Sequence, residues 1–167
     1  RVVGEMPTRE LTQATLLRRS SDALKPCSGK LPLRLEDDAT TNGSRRFFTV
    51  DLFDPCWVFV QAPLDGVTAI EVGAGQLPYN FQLGKDIANV VPRPASQSAD
   101  GELLVKVGTC SGATIATLPL LTASRNSGVS LLRAALPTTT GKHDLCFVFT
   151  GGSRDLLWAI DAVQLIQ

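Results

Sequence analysis

The chain has 167 residues, 44% of them hydrophobic and 19% charged, which suits one folded domain with a short extension. Sixteen basic and sixteen acidic residues cancel and no long basic stripe occurs, so the sequence lacks the electrostatic footprint typical of nucleic-acid binding. No apolar run of about 18 residues occurs, and the sequence therefore predicts no membrane span.

The first 26 residues are predicted to be a linker or connector segment, and residues 27–167 a folded module. Within the connector, Thr8, Leu11, Ala14 and Leu17 have roughly helical spacing. They either begin a helix or lie against a neighbouring domain. Because the chain starts at Arg1 without an apolar signal segment, we expect it to be a mature or excised part of a longer protein.

Short apolar or alternating segments separated by Gly, Pro, Asn and Asp follow one another from Leu31 onward. Gly73 and Gly75 are expected to break the chain between strands, and 86–100 is the longest predicted loop. Segments of this length and spacing are typical of an antiparallel β-sandwich of eight to ten strands, with the first and last strands of the module side by side. The predicted strands are 31–36, 47–53, 56–61, 67–72, 101–108, 114–121, 129–136, 145–150 and 157–166.

Four cysteines are spread along the chain: Cys27, Cys56, Cys110 and Cys146. Their number is even and no C-x-x-C spacing occurs, so two disulfides in a secreted or periplasmic protein are favoured over a zinc site or over buried free thiols. The preferred pairing is Cys27–Cys56 and Cys110–Cys146, because each pair joins a loop end to a strand. The other two connectivities stay open.

The sequence contains none of the common catalytic motifs, such as a G-x-S-x-G elbow, an H-E-x-x-H pair or a phosphate-binding glycine loop. The single histidine, His143, has no identifiable catalytic partner and is expected at the surface. The adjacent acids of 36–38 are more typical of a solvated or metal-bound turn than of a glycosidase pair. We therefore expect the chain not to be an enzyme.

Two segments carry a resemblance to a known family. Gly141-Lys-His-Asp-Leu-Cys-Phe-Val-Phe149, a glycine loop and Leu157-Trp-Ala-Ile-Asp161 resemble the end of family 6 carbohydrate-binding modules, and Arg34-Leu-Glu-Asp-Asp-Ala-Thr40 resembles their opening segment. The resemblance implies an all-β, jelly-roll or galactose-binding-like sandwich that binds an oligosaccharide or polysaccharide without cleaving it.

In the same family an acid of the opening segment and an aspartate of the last strand hold a structural calcium ion. The matching residues here are Glu36 and Asp161, and their oxygen ligands suit calcium. Arg34 replaces another acid of the family pattern. The alternatives are an ion pair between Arg34 and Asp161 or plain surface acids.

Sugar recognition usually combines an aromatic ring with hydroxyl-binding polar groups. The family's asparagine and aromatic residue on the last strand are replaced here by Ala159 and Ala162, and Trp158 matches a core position. The sugar-binding candidates are therefore Trp57 and the segment 79–82, with the side chains Tyr79, Asn80 and Gln82.

The order of the cysteine and acidic motifs is also similar to C-terminal modules of some bacterial family 20 glycoside hydrolases, the beta-hexosaminidases. This resemblance implies an accessory module attached to the catalytic domain of the same parent chain and a sugar containing N-acetylhexosamine. The alternative is a structural accessory domain that supports a catalytic domain or a dimer without binding sugar.

Overall fold

A computed structural model of the chain describes residues 16–36, 46–78, 84–126, 128–151 and 156–167. These residues form an antiparallel β-sandwich, which confirms the predicted fold class. A four-stranded sheet has the order β1-β11-β6-β9, a five-stranded sheet has the order β2-β5-β10-β7-β8, and β3 pairs with β4. The strands are β1 Arg18–Ser20, β2 Lys25–Pro26, β3 Pro32–Glu36, β4 Phe47–Asp51, β5 Cys56–Pro63, β6 Ala69–Pro78, β7 Glu102–Val107, β8 Thr114–Pro119, β9 Ser130–Ala135, β10 Lys142–Phe149 and β11 Leu156–Ile166.

The strands form because apolar side chains recur at every second residue and can all face one core. In β10, Leu145, Phe147 and Phe149 are buried between the sheets, and β5 contributes Trp57 and Phe59 from the neighbouring strand. The intervening residues of these two strands face outward from the five-stranded sheet. This alternation places the cysteines of β5 and β10 on the outer face of that sheet.

The sandwich begins earlier in the chain than the expected boundary at residue 27. β1 pairs with β11 along Arg18–Ser20, and β2 pairs with β5 along Lys25–Pro26. The predicted connector therefore contributes an edge strand to each sheet. Residues 8–15, where a helix start was considered, lie outside the described residues.

The predicted pairing of the module's first and last strands is wrong. The neighbours of β11 are β1 and β6, whereas β3 pairs with β4 in a separate two-stranded sheet. The three-residue β1 takes the edge position because its backbone hydrogen bonds satisfy the backbone groups of β11. Such pairing does not require alternating side chains in β1.

The expected break at Gly73–Gly75 is also wrong, because β6 continues through both glycines to Pro78. The reason is packing: a Cβ on Gly75 would lie 2.8 Å from Cζ of Phe48, a fully buried ring of β4. Glycine at this strand position allows the β3–β4 hairpin to approach the four-stranded sheet closely.

Helical structure is short in the described residues. It comprises 3₁₀ turns at Ser21–Ala23 and Gly84–Asn89 and one α-helical turn, α1, at Leu121–Ser124. No helix in this part of the chain is long and apolar enough to cross a membrane. Gln76 of β6 fixes α1, since its Nε2 donates a hydrogen bond to the carbonyl oxygen of Ala123 at 2.7 Å.

Candidate functional site

Trp57 is a core residue, which corrects its assignment as a sugar-stacking ring. Only 1% of its surface is exposed, its Nε1 donates to the carbonyl oxygen of Thr49 at 2.8 Å, and its ring meets Phe149 edge to face. A pyranose needs one accessible ring face, and the packing of Trp57 between the sheets leaves none. The residue belongs to β5, in agreement with the predicted strand 56–61.

Trp158 is buried, as its match to a family core position implies. It is 4% exposed and stacks on Phe149 with the ring centroids 5.8 Å apart. Ala159 and Ala162 beside it are also buried, so the described part of the last strand presents no ring to solvent. The other candidates, Tyr79, Asn80 and Gln82, lie outside the described residues.

These candidates follow β6 directly in the chain. Pro78 ends β6 and is the register partner of Leu156, the first residue of β11. The segment 79–82 therefore continues the chain from the sheet end at which the last strand begins.

Phe47 is the exposed aromatic ring among the described residues. It is 44% exposed, and the Arg34 guanidinium carbon lies 4.5 Å from its ring centroid. Arg34 also forms an ion pair with Asp22 at 3.3 Å, and the Thr49 hydroxyl donates to the other oxygen of that carboxylate. The Thr49 bond is the main cause of a lowered pKa of Asp22. Arg34 thus covers part of the one ring that this surface offers.

The predicted calcium ligand Asp161 lies in an ion pair. Its Oδ2 is 3.3 Å from Nη1 of Arg46, and its side chain is only 17% exposed. The considered pair between Arg34 and Asp161 does not form, because Arg34 binds Asp22 instead. The side chain of Glu36 is not among the described parts of the structure. The expected closeness of the Glu36 and Asp161 carboxylates therefore stays a prediction.

The four cysteines form two disulfides with the preferred connectivity, Cys27–Cys56 and Cys110–Cys146. The two bridges lie together on the outer face of the five-stranded sheet, and all four Sγ atoms are within 4.8 Å of one another. We call these four residues the cysteine cluster. No sequence signal indicated the cluster, because consecutive members are separated by 29 to 54 residues and meet only in the folded sheet.

A cleft of about 300 Å³ adjoins the cysteine cluster. Its walls combine the prolines of 92–94 with Phe149 and with two charged side chains, Asp54 and Arg93. Burial raises the pKa of the Asp54 carboxyl, and the nearby charge of Asp51 raises it further. Asp51 itself is buried and accepts hydrogen bonds from the backbone N–H groups of residues 30, 31, 53 and 54, which ties the segment before β3 to the turn after β4.

A second cleft, of about 340 Å³, lies over β7 and β8 and contains the carboxylate of Glu102. The carboxylate accepts hydrogen bonds from the backbone N–H groups of Gln97 and Ser98 at 2.9 and 3.1 Å and from the hydroxyls of Ser98 and Thr150. Glu102 therefore ties the chain before β7 to the end of β10. Its side chain is engaged in structure and is poorly suited to act as a general acid.

These hydrogen bonds predict an acid-sensitive stability. The bond from Gln97 and then that from the Ser98 hydroxyl hold the pKa of Glu102 below its usual value. The ionised carboxylate therefore stabilises the fold above the pKa of the unfolded chain, and this contribution is lost as pH falls through the lower folded-state pKa. Glu102→Gln should flatten the acid limb of the free energy of unfolding, measured by urea denaturation from about pH 7 to about pH 3. Ser98→Ala should flatten it partly, and an unchanged limb in both variants would refute this role.

Comparison with known proteins gives the fold. No protein-family model matches the chain, and no curated protein matches its sequence. Among solved structures, a family 6 carbohydrate-binding module from Clostridium cellulolyticum in complex with xylose aligns with a TM-score of 0.58 at 17% identity, over 90% of this chain and 96% of that one.

Two further solved structures share the sandwich. A family 36 carbohydrate-binding module in complex with calcium and xylotriose aligns with a TM-score of 0.51 at 9% identity, over 89% of this chain and 98% of that one. A family 43 glycoside hydrolase from Bacillus subtilis, an arabinoxylan arabinofuranohydrolase in complex with cellotetraose, aligns with a TM-score of 0.53 at 15% identity, over 90% of this chain and 27% of that one. The chain therefore has the fold of carbohydrate-binding modules.

Proposed function

We propose that this chain is a non-catalytic carbohydrate-binding module that contacts sugar through Tyr79, Asn80 and Gln82. The observation that carries the proposal is the register of β6 against β11, which starts this segment at the sheet end where the last strand begins. The fold shared with sugar-binding modules supports the class of function. The burial of Trp57 and Trp158 supports the choice of segment, because it removes both tryptophans from the possible stacking rings.

The proposal extends to the partners of the module. By its resemblance, it is an accessory part of a glycoside hydrolase, specifically a beta-hexosaminidase, and its ligand is an oligosaccharide or polysaccharide containing N-acetylhexosamine. The occurrence of this fold as 27% of a glycoside hydrolase chain supports an attachment of this kind. Two disulfides suit an oxidising compartment, which supports a periplasmic or secreted location.

Isothermal titration calorimetry with oligosaccharides derived from chitin, β-glucan and xylan tests the sugar site. One stacking ring and a few hydroxyl contacts predict a dissociation constant of about 10 μM to 1 mM for the best ligand. Tyr79→Ala should abolish measurable binding while the melting temperature stays unchanged. Phe47→Ala, which removes an exposed ring of the β3–β4 hairpin, is the matched control and should bind as the wild type does.

The alternative function is that of a structural accessory domain that supports a catalytic domain or a dimer. The observation that favours it is the scarcity of accessible rings in the described residues, where Phe47 is exposed but partly covered by Arg34. Wild-type protein that binds none of the three sugar classes would support this alternative. A binding curve unaltered by Tyr79→Ala would instead move the sugar site elsewhere.

A calcium ion held by Glu36 and Asp161 is a further part of the proposal. Oxygen ligands from the β3–β4 hairpin and the last strand would join two sheets, so the ion would stabilise the fold. Arg46 competes for this position because its guanidinium neutralises Asp161. We expect calcium to raise the melting temperature, EDTA to reverse the rise, and Arg46→Ala to enlarge it. A melting temperature that calcium and EDTA leave unmoved in both proteins would refute the site.

A further inference from the structure

The cysteine cluster is more compact than two independent disulfides require. Sulfur atoms of different bridges approach to 3.5 Å between Cys27 and Cys110 and to 3.9 Å between Cys27 and Cys146. The Sγ atom of Cys56 lies 3.4 Å from that of Cys110 and 3.3 Å from that of Cys146. Each sulfur of one bridge therefore contacts both sulfurs of the other. Sugar binding does not require this arrangement of sulfur atoms. The outer face of the five-stranded sheet therefore carries a second candidate site, separate from the proposed sugar-binding site.

We propose that the cysteine cluster is a four-thiolate metal site that binds one Zn²⁺ ion when the two disulfides are reduced. A tetrahedral zinc ion with bonds to sulfur of about 2.3 Å separates its ligand sulfurs by about 3.8 Å. All four distances between the bridges already lie within about 0.5 Å of that value. Once the bonds are reduced, only the two bonded pairs need to separate, and the four sulfurs can then enclose one ion.

The backbone positions the four cysteines independently of their bonds. Cys56 and Cys146 lie on the hydrogen-bonded strands β5 and β10, in the diagonal positions fixed by the pairs Cys146↔Val58 and Val148↔Cys56. The backbone N–H of Cys27 donates to the carbonyl oxygen of Cys56 at 3.2 Å, which places Cys27 beside them. Strand register therefore keeps three of the four sulfurs close together after reduction.

The fourth sulfur belongs to the tight turn between β7 and β8. Gly108 has a φ of +86°, its N–H donates to the carbonyl oxygen of Asp144 at 2.8 Å, and the Gly112 N–H donates to Thr109 at 3.0 Å. A Cβ on Gly112 would collide with the carbonyl oxygen of Val107. The turn is thus fixed by two glycines and by its own hydrogen bonds, and it keeps Cys110 over the strands.

Burial and access fit a structural metal centre. Cys56 and Cys146 are buried, Cys27 is half-buried and Cys110 is exposed, so an ion can enter from the outer side and then lie against the sheet. Four thiolates in tetrahedral arrangement are the ligand set of structural zinc sites and exclude hard ions such as calcium. The neighbouring strand carries Lys106 as the register partner of Cys146, which brings positive charge beside a site of net charge −2.

The reaction balances with a dithiol as reductant. Two dithiol molecules each transfer two electrons and two protons to one bridge; both S–S bonds break, four thiols form, and each dithiol becomes a cyclic disulfide. Binding of Zn²⁺ then forms four metal–sulfur bonds and releases four protons, so that affinity rises with pH. In an oxidising compartment the cluster holds two disulfides, and in a reducing one it holds the metal.

Cobalt spectroscopy of tag-free protein tests the proposal. The protein is reduced anaerobically by excess dithiothreitol, freed of reductant and titrated with Co²⁺. One equivalent should saturate intense tetrahedral d–d bands and sulfur-to-cobalt charge-transfer bands, and Zn²⁺ should displace them. Cys110→Ser, which alters the exposed ligand, should weaken Co²⁺ binding at least tenfold, whereas Ser111→Ala in the same turn should leave it unchanged.

Three results of the titration would overturn the proposal. Absent thiolate bands, saturation at more than one equivalent, or equal binding by Cys110→Ser would each exclude a four-sulfur site. If the reduced protein unfolds, circular dichroism with one equivalent of Zn²⁺ decides: recovery of the strand spectrum supports the site, and a chain that stays unfolded contradicts it. Oxidised protein should bind no Co²⁺ in the same titration.

Discussion

Reducing both disulfides in the presence of EDTA should lower the free energy of unfolding by about 6 to 8 kcal/mol. The bridges close separate loops with sequence separations of 29 and 36 residues. Each loop closure restricts the unfolded chain by between about 3 and 4 kcal/mol, and the two loops do not overlap in sequence, so both restrictions act on the unfolded chain. A domain of this size is stable by about 5 to 15 kcal/mol, so much of that margin would disappear.

Guanidinium denaturation of oxidised and reduced protein measures this difference. The variants Cys27→Ala with Cys56→Ala, and Cys110→Ala with Cys146→Ala, should each show about half of the loss. EDTA is needed because a metal bound by the reduced cluster would restore stability. Equal stabilities of oxidised and reduced protein under these conditions would contradict the disulfide account.

Trp57→Ala should destabilise the fold by about 3 to 5 kcal/mol, the usual cost of truncating a large aromatic residue in a core. The ring of Trp57 lies between the sheets, contacts Phe149 edge to face and binds the carbonyl oxygen of Thr49. Truncation leaves a cavity between the sheets and removes the hydrogen bond to the Thr49 carbonyl oxygen of β4. We therefore expect Trp57→Ala to lower the free energy of unfolding.

Phe47→Ala is the control for this substitution. Its ring is 44% exposed and contacts the Arg34 guanidinium, so we expect a loss within about 1 kcal/mol. Urea denaturation of the two variants separates a core ring from a surface ring. A loss for Trp57→Ala no larger than that for Phe47→Ala would show that the ring is dispensable for the core.

The strand pattern of the sandwich could be predicted because alternation in single strands such as β5 and β10 records which face is buried. The position of β1 and the extent of β6 could not be predicted in this way. The three residues of β1 join a sheet edge by pairing with β11 and show too little alternation to be recognised as a strand. Gly73 and Gly75 suggest a turn unless the packing of the Phe48 ring against Gly75 is known.

The candidate site was less accessible to sequence analysis. The pairing of the cysteines followed from their position at loop ends, but their convergence depends on the register between β5 and β10 and on the turn at Gly108. Trp57 was ambiguous for a similar reason: the pattern places it in a strand, but whether its ring faces the core depends on packing against the other sheet. Neither the convergence of the cysteines nor the orientation of Trp57 can be read from composition or motifs.

The central claim, sugar binding without cleavage through the segment after Pro78, is tested most directly by one NMR titration of ¹⁵N-labelled protein with chitin-, β-glucan- and xylan-derived oligosaccharides. We predict saturable shifts for one sugar class, largest for the amides of Tyr79, Asn80 and Gln82, with sugar signals that stay intact in the same sample. Shifts confined to other residues, cleavage of the sugar, or unshifted amides with all three ligands would contradict the claim.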